Sequence, residues 1–126
     1  MSSYWYLATP YTKYPWGLDA AFTRACGVAA KFLDEGIPIY SPIAHSHSIA
    51  DFTKAAKTDS SYWVRFHHEM MVAARGLIVA KMDGWDVSDG VKDEITYFLS
   101  QGKPIIYADP DNIAAAIELI RCQITS

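Results

Sequence analysis

The sequence predicts an α/β domain three layers deep, with a parallel sheet between two layers of helices. Three observations carry that expectation. Short β-branched and aromatic runs alternate with longer segments whose apolar residues recur at helical spacing. The run Leu77-Ile78-Val79-Ala80 is apolar at every position, as a strand covered on both faces requires. Gly36 and Gly102 fall where two of the helices should stop.

Taken in order, Tyr4 to Ala8 reads as the first strand, from its aromatic and apolar content. Thr9 to Pro15 is a loop, because Pro10 and Pro15 are too close together for regular pairing. From Leu18 to Asp34, the residues Leu18, Ala21, Phe22, Ala25, Val28, Ala29 and Phe32 make one helical face. Ile37 to Tyr40 is the second strand, and Ser41 to Ser48 a loop holding His45 and His47. Ile49 to Thr58 reads either as a short helix or as an excursion. Asp59 or Ser60 caps a third helix, with Trp63, Phe66, Met70 and Ala73 or Ala74 inward. Leu77 to Ala80 is the third strand, and Asp83 to Asp89 a polar loop. A fourth helix follows with Val91, Ile95, Phe98 and Leu99 at helical spacing. Pro104 to Tyr107 is the fourth strand. Asp109-Pro110 opens a last helix with Ile113, Ala116, Ile117, Ile120 and Ile124 inward, since proline suits a first helical turn.

Composition narrows the function classes. At 126 residues the chain is one domain, residues 1–126, without repeats or linkers. No apolar run approaches the length of a membrane span, and no basic segment leads into a long apolar stretch at the N-terminus. Net charge is −3 with acids and bases interspersed, which argues against a nucleic acid polymer as partner. Cys26 and Cys122 both fall in helical segments and read as buried thiols in a reducing, cytoplasmic compartment. The third helix carries Tyr62, Trp63, Phe66, Met70 and Met71, wider than one core stripe needs, so a homo-oligomer is expected.

The chemistry concentrates around Glu94. Helical side chains lean toward the helix N-terminus, so Glu94 points back over Gly90, four positions earlier on the same face. A glycine there costs about 1 kcal/mol of helix stability relative to alanine, and it leaves space in front of a carboxylate. If the strand order is 2-1-3-4, as in flavodoxin- and Rossmann-like folds, winding reverses between strands one and three. The crevice there is walled by Thr9 to Tyr14, including Pro10 and Tyr11, and by Asp83 to Asp89, with the His45 loop opening nearby. Each residue also has a plainer reading. Tyr6 is a core aromatic as readily as a site residue. Trp85 either stacks on a ligand ring or packs over the sheet edge. Ser88 is an N-cap, a role compatible with anion binding at a helix N-terminus. Asp86 and Asp89 can hold sugar hydroxyls or face the helix dipole, although Asp83, Asp86, Asp89 and Asp93 together repel an anion. His45, His47, His67 and His68 with the acids suggest a metal-dependent hydrolase only weakly, lacking a ligand-spacing motif. No metal and no cofactor is expected.

Two stretches resemble the nucleoside 2-deoxyribosyltransferase superfamily, which contains deoxyribosyltransferases and nucleotide N-glycoside hydrolases. WYLATPY, with Tyr6, Pro10 and Tyr11, resembles its first-strand signature. GWDVSDGVKDE resembles its acidic loop, Ser-x-Gly-x-x-x-Glu element and nucleophilic glutamate, and GKPI continues the match. The resemblance implies that Glu94 attacks an anomeric carbon while Tyr6 orients the carboxylate. Ser88 stands where the transferases carry an aspartate and the nucleotide hydrolases a phosphate-holding serine. The third helix departs from the family, which often has an aspartate about two turns before the central strand; by alignment His68 lies nearest that position as proton donor. The implied activity is cleavage of the N-glycosidic bond of a nucleoside or nucleoside 5′-monophosphate, through a glutamate nucleophile. Deoxyribosyl transfer, or a non-catalytic nucleotide-binding module on the same fold, are the alternatives. The expected contacts to a small-molecule nucleoside or nucleotide are Pro10, Tyr11, His45, Trp85, Asp86, Ser88 and Gly90.

Overall fold

The computed structural model describes residues 3–125, with the side chains of 124 and 125 excepted. Its centre is a four-stranded parallel sheet of β1 (Trp5–Ala8), β2 (Ile39–Tyr40), β3 (Gly76–Ala80) and β4 (Ile105–Ala108), in the order β2-β1-β3-β4. Register is continuous across the central pair, with Trp5 opposite Gly76 and Ala8 opposite Val79. The expected topology is therefore the observed one, and the winding reverses between β1 and β3. Alternation along the strands divides the core in two. Trp5, Leu7, Ile78, Ala80, Ile106 and Ala108 face α1 (Leu18–Asp34) and α5 (Ala114–Thr125). Tyr6, Ala8, Leu77 and Val79 face α4 (Asp89–Ser100), meeting its Val91 and Phe98.

Several boundaries follow from local chemistry. The Asp59 side chain accepts from the Tyr62 N–H and so starts α3 (Ser60–Ala73). Ser88 does the same for α4 by accepting from the Val91 N–H at 3.3 Å. Gly102 takes a positive φ of 65° just beyond α4, where a side chain would be strained. At Gly76 a Cβ would overlap the Trp5 ring, so the close approach of β3 to β1 depends on glycine.

Four expectations need correcting. The segment Ser41 to Ser48 is not a loop: α2 (Pro42–Ala50) begins there, with Ser41 as N-cap and Pro42 in the first turn. Its buried side is Pro42, Ser46, His47 and Ala50, too polar to register as an apolar stripe. Asp109-Pro110 does not open α5. It forms a turn bridging Asp109 to Asn112, and the Asn112 side chain accepts from Ala114 N–H at the true helix start. Ala116, Ile117 and Ile120 are buried as expected, while the Ile124 side chain lies outside the described residues. The third helix buries only Trp63 within its length; Phe66 is exposed and Met70 half-buried. It is tethered at its C-terminal end, where Lys103 Nζ donates to the carbonyls of Val72 and Ala74 at 2.7 Å and the Tyr4 hydroxyl donates to the Met70 carbonyl. Finally, Cys26 is a half-buried free thiol and Cys122 is exposed, so neither is the buried core thiol expected. Among the described residues, no helix is long and apolar enough to cross a membrane.

Candidate active site

A cleft of ≈ 380 Å³ opens at the carboxyl end of β1, within the size range of small-molecule sites. Each flank is placed by an element already described. The end of β1 contributes Tyr6 and Thr9, and the following loop Tyr11 and Thr12. α2 contributes Pro42, Ile43 and Ser46. The segment entering α3 and the helix itself contribute Lys57, Thr58, Ser60, Trp63 and His67. The N-terminus of α4 closes the remaining side with Ser88, Asp89, Gly90, Asp93 and Glu94. At Gly90 a Cβ would meet only Ser88 Oγ, at 3.9 Å. The space in front of Glu94 is therefore open, as the spacing of the two residues suggested.

Glu94 is electrostatically the most perturbed carboxyl of the site. Its residue surface opens partly to the cleft, yet the carboxyl itself is packed closely enough that desolvation pushes its pKa up to about 8. The Tyr6 hydroxyl opposes that rise and Asp93 adds to it. Tyr6, fully buried, has its own pKa raised by burial and by the neighbouring Glu94. The Tyr6 hydroxyl is close enough for each group to feel the other, without closing a hydrogen bond of standard geometry. Tyr6 therefore fills core and lines the site at once: its ring packs on Phe98 and Tyr40, at centroid distances of 6.0 and 5.7 Å.

Polar atoms without partners mark this cleft out. Thr9, Trp63 and His67 line the cleft, and each carries a buried side-chain polar atom (Oγ1, Nε1 and Nε2) that makes no hydrogen bond within the protein. Unpaired buried donors and acceptors are rare because each carries a desolvation penalty of about 1–3 kcal/mol, and a ligand with matching groups removes it. A second cleft of ≈ 420 Å³, lined by Tyr14, Trp16, Arg24, Lys81 and the Asp109–Asp111 turn, is slightly larger but contains none of these orphaned atoms.

The structure brings together Glu94, Tyr6, Tyr11, Ser88 and Gly90 from the residues singled out in the sequence. It leaves others outside. Pro10 is buried and does not line the cleft. Trp85 sits in a 3₁₀ turn (Trp85–Val87) and packs against Tyr107 at 5.7 Å, so its packing reading holds, and Asp86 is exposed beside it. Asp83 opens onto the second cleft. His45 stacks on Phe66 at 4.9 Å, behind the site. His68 is exposed and lies edge-on to Tyr97 at 5.2 Å, away from the cleft. Its neighbour His67 faces inward instead, stacked at 6.2 Å on Trp63. Trp63 and His67 are four apart and share a helix face, so the inward Trp63 was the signal that selects His67 over His68. Burial, then the nearby His45, lowers the His67 pKa to about 4. At neutral pH it is an uncharged hydrogen-bonding group rather than an acid. Lys57 and Thr58 carried no motif, and enter only because the segment before α3 converges on the end of β1, whereas Thr9 lies in the expected crevice wall.

Charge in the cleft is lopsided. Asp89 and Asp93 face one lysine, Lys57, whose Nζ is already ion-paired with Asp51, while Glu94 adds a negative charge only once it ionises. Among the described residues no group of histidines, cysteines and acids is arranged to hold a metal ion.

Residues 3–109 match the family described as a domain of unknown function, DUF1937, and the chain belongs to that family. The matched region runs from β1 to the end of β4 and contains every residue lining the cleft, with α5 beyond it. A comparison with curated proteins gives no match.

Proposed function

We propose that this member of the family is an N-glycosidase that cleaves the bond between base and sugar of a nucleoside, with Glu94 as nucleophile. One observation carries the reading. A desolvated carboxyl with its pKa near 8 stands beside the Tyr6 hydroxyl, at an open cleft whose lining residues Thr9, Trp63 and His67 each hold an unpaired polar atom. Perturbed carboxyls in clefts are characteristic of catalytic positions. The resemblance of WYLATPY and GWDVSDGVKDE to the nucleoside 2-deoxyribosyltransferase superfamily supports the same roles for Glu94 and Tyr6.

The geometry suits the reaction. Cleavage passes through an oxocarbenium-like state, whose positive charge develops against the carboxylate. Because the Glu94 anion is poorly solvated in the free protein, it gains more from that developing charge than a hydrated carboxylate would. The carboxylate oxygen bonds to the anomeric carbon, the carbon–nitrogen bond breaks, and its electron pair leaves with the base, which takes up a proton. Water attacking the anomeric carbon then frees the sugar; a second base in place of water gives transfer. Tyr6, held by Phe98 and Tyr40, orients the carboxyl. Thr9, Trp63 and His67 offer hydrogen bonds to base or sugar.

Asp89 and Asp93, joined by Glu94 in its reactive anionic form, against one paired lysine favour an uncharged nucleoside over a 5′-monophosphate. Ser88 Oγ already accepts from Val91, and its hydroxyl proton alone is a weak phosphate anchor. A panel of nucleosides and nucleoside monophosphates, with free base measured by chromatography and a second base added in parallel, separates hydrolysis, transfer and mere binding. Base release from at least one nucleoside supports the reading; binding without release from any member refutes it.

We further propose that the chain self-associates through α3 and the segment before it. Phe52 is 91% exposed, and Tyr62, Val64 and Val72 are each about half exposed along a helix that buries little of its own surface.

A further inference from the structure

The cleft as described has a nucleophile but no obvious proton donor. His68 faces away, His67 is uncharged at neutral pH, and Glu94 is committed to the anomeric carbon. A chain of three side chains reaches the cleft from the far side. Asp19, on the first turn of α1, is 96% exposed at its side chain, and its Oδ1 lies 3.0 Å from His47 Nε2. His47 is buried in α2, its ring stacked on Phe22 at 4.4 Å. Its other nitrogen, Nδ1, lies 2.6 Å from the hydroxyl of Tyr11, which lines the cleft. One end of the chain is thus in solvent and the other at the site, with a buried imidazole between.

We infer that Asp19, His47 and Tyr11 form a proton relay that serves the leaving base, with Tyr11 as the group that touches substrate and His47 and Asp19 positioning and recharging it. The inference rests on the N-glycosidase reading. Asp19 can only accept, so Nε2 keeps its proton directed at that carboxylate, and proton traffic is confined to Nδ1. In the charged ring Nδ1–H donates to the Tyr11 oxygen, which leaves the tyrosine's own proton free for the cleft. As the carbon–nitrogen bond breaks, Tyr11 gives that proton to the base nitrogen and regains one from Nδ1, leaving a neutral ring. In the second step the path runs backward. Water bonds to the anomeric carbon as the Glu94 oxygen departs, and its proton passes through Tyr11 to Nδ1. One turnover consumes nucleoside and water, and restores both Glu94 and His47. A lone tyrosine would serve poorly, since burial, then Asp19 and Asp51, push the Tyr11 pKa up to about 12. The imidazole behind it is what makes the hydroxyl a usable acid.

Leaving-group dependence tests this. A nucleoside needs its base protonated, whereas the para-nitrophenyl glycoside of the same sugar releases a stable anion without help. Tyr11→Phe should lower nucleoside cleavage by at least about 100-fold, the usual scale of general acid catalysis. The same variant should change kcat/KM for nitrophenolate release, which reports only the first step, by less than about fivefold, while its second step slows on either substrate. His47→Gln should show the same split, and Asp19→Asn a milder one, since its ion pair is exposed. Glu94→Gln should fail on both substrates. Equal losses on both substrates for Tyr11→Phe, or no loss on either, overturn the relay while leaving the nucleophile standing. Retained turnover in Glu94→Gln instead overturns the functional reading. Nitrogen-15 spectra of the neutral His47 ring provide an arm independent of turnover: a proton on Nε2, and a shift at Nδ1 in Tyr11→Phe, are expected. A neutral ring protonated at Nδ1 contradicts the relay.

Discussion

Replacing Glu94 by glutamine should damage activity and improve stability in one step. Glutamine keeps the shape of the side chain and its hydrogen-bonding capacity but cannot become an anion. If the carboxylate attacks the anomeric carbon, base release should fall by at least about 1,000-fold, equivalent to about 4 kcal/mol of barrier. The stability effect follows from linkage. The native carboxyl holds its proton up to a pKa of about 8, where an unfolded glutamate loses it near 4.5. Between those values the unfolded chain binds fewer protons than the folded one, so the native protein loses stability as pH rises through that window. Such a displacement corresponds to a ceiling of about 5 kcal/mol above the folded pKa. Water reaching the carboxyl through the cleft brings the expected gain in Glu94→Gln to about 1–3 kcal/mol at pH 9. At pH 4, where both states are protonated, native and variant should be nearly equal. Urea unfolding of both proteins at the two pH values measures the difference, and kcat/KM of the native protein on the para-nitrophenyl glycoside, which needs no proton donor, should rise with pH through about 8 as the nucleophile ionises. A variant no more stable at pH 9, together with native activity on that glycoside that falls through the same range, would refute a desolvated carboxylate nucleophile.

Other consequences are simpler. Gly90→Val fills the open space before Glu94 and should abolish substrate binding, seen by calorimetry, while leaving the thermal unfolding temperature within a few degrees; undiminished binding would show that the substrate does not enter there. Ser88→Ala removes the α4 N-cap and should cost about 0.5–2 kcal/mol in denaturant unfolding, with similar KM increases for nucleosides and nucleotides; a selective loss for nucleotides would reinstate a phosphate role. Gly76→Ala drives a methyl into the Trp5 ring and should cost about 1–3 kcal/mol or more, read the same way. Light scattering should find at least a dimer, and Phe52→Ser with Val64→Ser should shift it toward monomer; a native monomer at working concentration refutes association through α3.

The fold was legible wherever burial imposes a period. The α1 stripe of Ala21, Ala25, Val28, Ala29 and Phe32 is buried as its spacing requires, and the all-apolar β3 run is central. It was illegible where polar residues occupy buried positions. α2 hides Ser46 and His47 against α1, so its pattern reads as a loop, and the histidine most engaged with the cleft's surroundings went unselected beside His45. α3 shows the reverse: an apolar pattern broad enough for a core helix, of which only Trp63 is buried while Met70 and Met71 pack partly against the core. At the site, Glu94, Gly90 and Ser88 were readable because one helix terminus carries all three. Thr9, Lys57 and His67 come from segments far apart in the chain, and only the 2-1-3-4 order brings them to one cleft.

The most direct test of Glu94 as nucleophile is to capture the sugar on it. A 2′-deoxy-2′-fluoro arabinonucleoside slows the second step by withdrawing charge from the oxocarbenium-like state, so a glycosyl ester should accumulate. Mass spectrometry of the intact protein followed by peptide mapping should then find one fluorosugar on the peptide containing Glu94, absent from Glu94→Gln. Base release from the analogue without an adduct, or an adduct on any other residue, would contradict the assignment.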